Sequence, residues 1–533
     1  MPALPRALLV VTGLSLWLNA QVIVPDFVVN DPVQNTAWVG RTAIAVAANG
    51  AFAVAWQDSN YYNYPIPAMP RVAVQLFDGN AIPVGPLNLF NGETRSGITY
   101  LDDYLTGAID LEFLPSGYLL VAVQHEGLFD NLVTQVWSWE AGIGAVSPTG
   151  QIVDLLAGTG VINWIYAYDL VDTGNLRLDV MPGGGFWGTL NGPSYNTDFS
   201  AVLIQQFDAN VNYVGNYFTP HTGDPGPNAN HVFPDIASDG TILFSVWQDG
   251  RQDANYDISG QFYTAGAPLG GNIRINSGDP AGTINAWPSL AMNAAGNSVV
   301  VWADGRTGSG EIFGQRFNGS GQPVGGNFQV SAGTGAILDR PEVAMRTDGS
   351  FMVVWTDSMD NATGIAALRA RGRQYDSAGN PTGPPFIVPD RNLPSALVSI
   401  ASNGNHYFLS WLDTRYDNVT ANVYAKVVGD AIIAIEPAFR PDLGFLLEPN
   451  YPNPFNPSTS IAFILPEAGE VRLEVFSVTG QRVDVVTAGY LPAGRHAVTW
   501  SATRQPSGIY FCRLTAAGPS GTVTATRRMV MVK

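Results

Sequence analysis

The chain has 533 residues, enough for two or three domains, with 13 % charged and 46 % hydrophobic residues, 58 glycines, 37 prolines and 13 tryptophans. A net charge of −18 excludes nucleic acid as a partner, because binding a phosphate backbone needs a concentrated basic face. Few charges with many turn formers and aromatics describe short strands joined by tight turns, an all-β chain.

Residues 1–20 have the marks of a signal peptide: Arg6 supplies the positive start, Ala7 to Leu18 is a short apolar run, and Asn19-Ala20 precedes Gln21. A bilayer takes about 20 apolar residues to cross; neither this run nor any later one qualifies, so no transmembrane segment is expected. One cysteine, Cys512, rules out a disulfide within the chain. It alternates with Tyr510 and Leu514 and reads as a buried strand thiol.

Residues 21–435 repeat. The stretches FSVWQDGRQDANYDISGQF (244–262), VVVWADGRTGSGEIFGQRF (299–317), MVVWTDSMDNATGIAALRA (352–370) and FLSWLDTRYDNVTANVYAK (408–426) share one order. Each has an apolar run, a Trp, one residue, an Asp, a polar loop and a second strand. The marker positions are Trp56, Val123, Leu190, Trp247, Trp302, Trp355 and Trp411, spaced by 67, 67, 57, 55, 53 and 56 residues. Four short strands at this period form a propeller blade, so the expectation is a seven-bladed β-propeller. The seventh unit stops after VYAKVVGD (423–430), while DFVVND (26–31) matches the fourth strands NFQVSA, NIRINS and PFIVPD. The N-terminal strand is therefore expected to complete the last blade and close the ring, removing an exposed edge.

The repeated Trp should fill the space between sheets. The Asp after it (Asp249, Asp304, Asp357, Asp413) should accept loop hydrogen bonds or pair with Arg251, Arg306 or Arg415. Calcium at Asp249, Asp253 and Asp257 is the alternative, although their spacing is not that of a D-x-D-x-D-G loop; no other cofactor is indicated.

The first and third turns of each unit are tight, and the long irregular sequence falls at the opposite end, over 58–70, 91–107, 157–174, 191–199 and 221–233. Loops on a rigid scaffold are where ligands bind. The candidates there are Trp38, Tyr61, Tyr62, Tyr100, Tyr104, Trp164, Tyr166, His231 and Trp287, a set of rings beside acceptors that suits an extracellular glycan or protein ligand. Each of these rings has the alternative of packing under its own loop. No catalytic constellation is legible: the arginines of the repeat region sit mostly in the repeat itself, and there is no G-x-S-x-G, H-E-x-x-H or sialidase-type box. Three readings stay open: a binding propeller, a propeller hydrolase, and a structural or adhesive surface protein.

After a linker over 436–449, the segment Asn450, Tyr451, Pro452, Asn453, Pro454, Phe455, Asn456, Pro457 opens a different module. It continues through VRLEVFSVTGQRV (471–483), LPAGRHAVTWSA (491–502), PSGIYFCRL (506–514) and ATRRMVMVK (525–533). Alternation of Val471, Leu473 and Val475 with Arg472 and Glu474 marks a half-buried strand. In order and spacing these blocks resemble the C-terminal sorting domain of type IX secretion systems. The related module of flagellar hook-capping proteins is similar too. Cys512 stands where that family often has an aromatic. The resemblance implies an Ig-like β-sandwich over 450–533, recognition by the type IX secretion machinery, and a cell-surface or extracellular destination.

Overall fold

Segments such as Val299-Val300-Val301-Trp302 are apolar on both faces, which suits a strand covered by a neighbouring sheet on each side. In the computed structural model all four are fully buried. The structure describes residues 21–30, 39–58, 71–90, 109–131, 134–153, 162–168, 176–193, 200–222, 230–251, 256–308, 310–331, 337, 339–358, 368–390, 394–413, 422–429, 446–447, 450, 455–465, 469–491, 494–503, 505–518 and 521–532. Among them every regular element is a strand, and no helix is long and apolar enough to cross a membrane. The signal-peptide segment and the linker lie outside the described residues. The chain divides into two units, 1–431 and 432–533.

In the first unit the described strands form seven antiparallel sheets. We number them blades 1 to 7 by their inner strands: Val39–Val46, Ile109–Phe113, Leu176–Val180, His231–Ser238, Asn285–Met292, Glu342–Met345 and Ser395–Ser402. Each inner strand packs on the next, and that of blade 7 packs back on that of blade 1. The unit is a β-propeller.

The last blade is completed from the other end of the chain. Gln21–Val28 pairs antiparallel with Asn422–Gly429, aligning Gln21 with Gly429 and Phe27 with Ala425. The strand begins earlier than residue 26, and two register shifts accommodate the extra residues. Lys426 pins it from below: its Nζ donates to the Val388 carbonyl at 2.8 Å, lies 3.4 Å from the Asp26 carboxylate, and pairs with Asp390. Asp390 N–H also donates to Asp26 Oδ2 at 2.7 Å.

The repeated Trp and Asp act as one unit. Trp247, Trp302, Trp355 and Trp411 are fully buried. Each indole Nε1–H donates to the carboxylate two residues on, at 3.3, 2.9, 3.2 and 3.5 Å. Asp249 and Asp304 also accept from Arg251 Nε and Arg306 Nε, each at 2.9 Å. The carboxylate thus satisfies a buried indole and an arginine together. Glycine recurs where the fourth strand presents an aromatic: a Cβ on Gly314 would lie 2.7 Å from the Phe328 ring.

The second unit is two packed sheets. One contains Leu446–Leu447, Ser458–Leu465 and Gly494–Ser501. The other contains Arg482–Leu491, Gly469–Ser477, Gly508–Gly518 and Gly521–Met531. Val471, Leu473, Val475, Trp500, Tyr510 and Leu514 fill the space between them. Cys512 is fully buried there, and burial pushes its thiol up to about 11.

Candidate functional site

A strand alternates its side chains, so one row from each inner strand faces the propeller axis. Register places Ala43, Asp110, Arg177, Asp235, Ser289, Glu342 and Ser399 at one level, each opposite the residue before its blade's marker. Two residues on, toward the tight-turn end, lie Ala45, Glu112, Asp179, Ala237, Ala291, Ala344 and Ala401. Both levels line one axial cavity of about 280 Å³.

The upper level is crossed by ion pairs. Arg177 of blade 3 reaches Asp110 of blade 2 at 3.5 Å and Glu342 of blade 6 at 3.3 Å. Arg340 of blade 6 reaches Asp235 of blade 4 at 2.8 Å. These carboxylates also bind the backbone of the following blade. Asp110 accepts from Leu178 N–H at 2.6 Å, Asp235 from Leu290 N–H at 2.9 Å, and Glu342 from Ile400 N–H at 3.2 Å. One row of side chains therefore latches blade to blade and ties opposite walls across the axis.

Enclosure sets the electrostatics. Burial holds Asp110 at about 6 although Arg177 stands beside it. Glu112 and Asp179 are pushed well above the usual carboxylate range by burial and by acidic neighbours. Arg340 falls to about 10, because burial and the nearby Arg177 outweigh its acidic partners. These charged groups come from blades 2, 3, 4 and 6 and are unremarkable in sequence. Arg177 and Arg340 are exceptions to the expectation that the arginines of the repeat region sit mostly in the repeat itself. The signal available was the aligned inner-strand column, where Asp, Glu and Arg replace Ala and Ser.

At the other, long-loop end of the inner strands lie β-bulges. Register shifts fall before Asp235, Ser289 and Ser399, and in each the residue two positions earlier has a left-handed backbone: Phe233 (φ 54°), Trp287 (φ 57°) and Leu397 (φ 53°). Such a conformation is costly for a bulky side chain and is kept where the surroundings impose it. Trp287 is half-buried and stands edge-on to Phe233, 6.5 Å between centroids.

The other sequence candidates separate. His231 is buried, 3.5 Å from Asp249 and stacked on His221 at 3.9 Å, so it offers a ligand no surface. Trp164 and Tyr166 stand on the strand Ile162–Tyr168 of blade 2. Trp38, Tyr61, Tyr62, Tyr100 and Tyr104 lie outside the described residues, as does Asp253. Of the calcium candidates, Asp249 is engaged by Trp247 and Arg251, and Asp257 by Arg274 at 2.9 Å and Asn276 at 3.0 Å. Among the described residues no three acidic, His or Cys side chains are grouped to hold a metal.

On the tight-turn face the turns of neighbouring blades pack backbone to backbone around the axis. Gly85 (φ 69°) approaches the next blade so closely that a Cβ would lie 2.6 Å from the Thr149 carbonyl. Thr347 N–H donates to the Gly404 carbonyl at 3.3 Å, and Arg316 Nη2 to the Ser377 carbonyl at 2.8 Å. Little side chain projects from such turns.

In the second unit Asn450 and Phe455 of the Asn- and Pro-rich opening are built into the sandwich, while Tyr451, Pro452, Asn453 and Pro454 lie outside the described residues. Phe455 is buried against Trp500, 5.5 Å between centroids, and bridges to Met531. Its N–H donates to the Val530 carbonyl at 2.9 Å, and its carbonyl accepts from Val532 N–H at 3.0 Å. Asn450, also buried, donates to Thr459 Oγ1 at 2.9 Å. Residues 450–530 match the family described as the secretion system C-terminal sorting domain. This segment is a type IX sorting domain. The sorting domain implies engagement with the type IX secretion machinery and marks the protein for export to the cell surface or extracellular space.

No curated protein matches the chain. Among solved structures, an α-L-arabinanase of Penicillium chrysogenum is similar at 12 % identity, covering 77 % of this chain and 98 % of its own, with a TM-score of 0.39. An α-L-arabinofuranosidase of Fusarium graminearum is similar at 12 % identity, covering 78 % and 98 %, with a TM-score of 0.39. The polysaccharide lyase Uly1 is similar at 9 % identity, covering 73 % and 89 %, with a TM-score of 0.45.

Proposed function

We propose that the exported protein is a binding protein whose propeller recognises an extracellular glycan or protein through its long-loop face. One observation carries this reading: the bulged, left-handed Phe233, Trp287 and Leu397 each stand at the long-loop end of an inner strand, and the Trp287 and Phe233 rings of neighbouring blades meet there. Bulges next to binding sites re-aim side chains, and a half-exposed indole beside a second ring is a stacking surface for sugar or peptide. The tight turns, packed backbone to backbone between blades, project little side chain for a comparable surface.

The test is a glycan and protein array probed with the full chain, followed by Trp287→Ala. A hit weakened by about 1–2 kcal/mol or more on truncating that ring supports the face. A hit indifferent to Trp287 but sensitive to Ser320→Ala, on the turn side, refutes it.

A propeller hydrolase is the second reading, favoured by Asp110, an axial carboxyl held near neutrality at about 6. Turnover of a glycan, lost in Asp110→Asn with binding retained, would support it over simple binding.

A further inference from the structure

Below the ion pairs, five of the seven blades place alanine on the axis: Ala45, Ala237, Ala291, Ala344 and Ala401. Blades 2 and 3, which are neighbours, place Glu112 and Asp179 there instead. This is a costly exception. Both side chains are half-buried and line the cavity. The charged groups acting on Glu112 are Asp110 and Asp179, and those acting on Asp179 are Asp235 and Asp110, all acidic. Asp179 accepts from the Ser238 backbone, yet its Oδ2 is buried with no hydrogen-bond partner. A buried, unsatisfied carboxylate normally costs a few kcal/mol and is rarely kept without a use.

The charge balance says what is missing. Asp110, Asp235 and Glu342 share two guanidinium groups, Arg177 and Arg340, which leaves the cavity acidic even before Glu112 and Asp179 are counted. The complement is a cation. No three acidic, His or Cys side chains among the described residues are grouped for a metal ion. An organic cation fits better: an ammonium donates to several acceptors at once, and its alkyl stem can lie against the alanine wall.

We propose that the axial cavity binds a primary alkylammonium group, held by Asp179 and Glu112, with its aliphatic part along the ring of alanines. The cavity lining runs on to Val46, Met292, Met345 and Ser402, at the tight-turn ends of the inner strands, so the ligand enters there, away from the long-loop face. This site is independent of the recognition proposed for that face.

The test uses the full chain with n-butylammonium chloride as probe, and tetramethylammonium chloride and sodium chloride at equal ionic strength as references. Calorimetric titration and the thermal midpoint are the readouts. Binding and a raised midpoint are expected with n-butylammonium alone. The near-isosteric Glu112→Gln/Asp179→Asn variant should lose about tenfold or more in affinity, the scale of a lost charge-assisted hydrogen bond. Glu112→Ala/Asp179→Ala, which completes the alanine ring, should melt above the parent in plain buffer and no longer respond to the probe. The proposal is overturned by no binding of n-butylammonium, by an equal response to either reference salt, or by an alanine double variant that melts below the parent.

Discussion

Arg177 and Glu342 are 165 residues apart in sequence and belong to blades 3 and 6, yet their side chains meet at 3.3 Å on the propeller axis. The same guanidinium holds Asp110 of blade 2, and all three side chains are largely withdrawn from water. The pairing raises the Arg177 pKa, while burial still raises that of Asp110. Arg177 is therefore the compensating charge for two enclosed carboxylates on different walls.

Arg177→Met is expected to destabilise the propeller by about 3–5 kcal/mol, the usual result of removing one partner from a buried ion pair. Adding Glu342→Gln should restore part of the loss, because the uncompensated charge goes with it. Urea midpoints of the parent, the singles and the double measure this. Strict additivity would show that the two groups do not interact.

Ring closure predicts a global effect from a local cut. A chain starting at Asp31 lacks the outer strand of blade 7 and leaves Lys426 without Asp26. It should melt below the chain starting at Gln21 and expose the edge of Asn422–Gly429 to association. Equal thermal midpoints would refute a closing role for that strand.

Asp304 is buried and accepts from Trp302 Nε1–H at 2.9 Å and Arg306 Nε at 2.9 Å. Asp304→Ala strands both donors and should cost about 2–6 kcal/mol, at about 1–3 kcal/mol for each unsatisfied group. Denaturant unfolding followed by tryptophan fluorescence gives the value; a loss below about 0.5 kcal/mol would mean that water replaces the carboxylate.

A carboxyl whose folded pKa lies above its unfolded one keeps its proton longer in the folded state, so stability falls as pH rises through that interval. Asp110, at about 6, and Glu112 and Asp179, raised further, all have this sign. The lowered carboxyls of the propeller, Asp249 and Asp279 among them, lose their contribution only below the ordinary range near 4. The propeller should accordingly be more stable at about pH 5 than at about pH 7.5. A urea midpoint that is flat or rises over this interval contradicts the enclosure of these three groups.

Removing residues 446–533 should leave the protein in the periplasm of its host. Phe455→Ala should lower surface levels without touching any other part of the opening motif, since truncating a buried Phe costs about 3–5 kcal/mol. Unchanged export of the deletion would sink the assignment, and a folded, normally exported Phe455→Ala would separate the motif from the core of the domain.

Much of this architecture was legible because it is periodic. The Trp-x-Asp pattern at Trp247, Trp302, Trp355 and Trp411 repeats one local solution, an indole satisfied by the carboxylate two residues on, and local solutions leave spacing in the sequence. The sorting domain was legible for a similar reason: Asn450 and Phe455 are packed by residues of their own module, so motif and fold travel together.

The axial groups were not legible. Arg177, Glu342 and Asp235 are each a single departure from a small residue in a short strand, and nothing near any of them in sequence says that they meet. Sequence alone determined the β class, the period of the blades and the secretion module, because these rest on contacts within a repeat or within one small sandwich. Only the tertiary structure decided which residues share the axis, that His231 is buried rather than presented, and that two carboxylates interrupt a ring of alanines. Those outcomes depend on closing the sheets into a ring, which brings together side chains from every blade at no fixed distance along the chain.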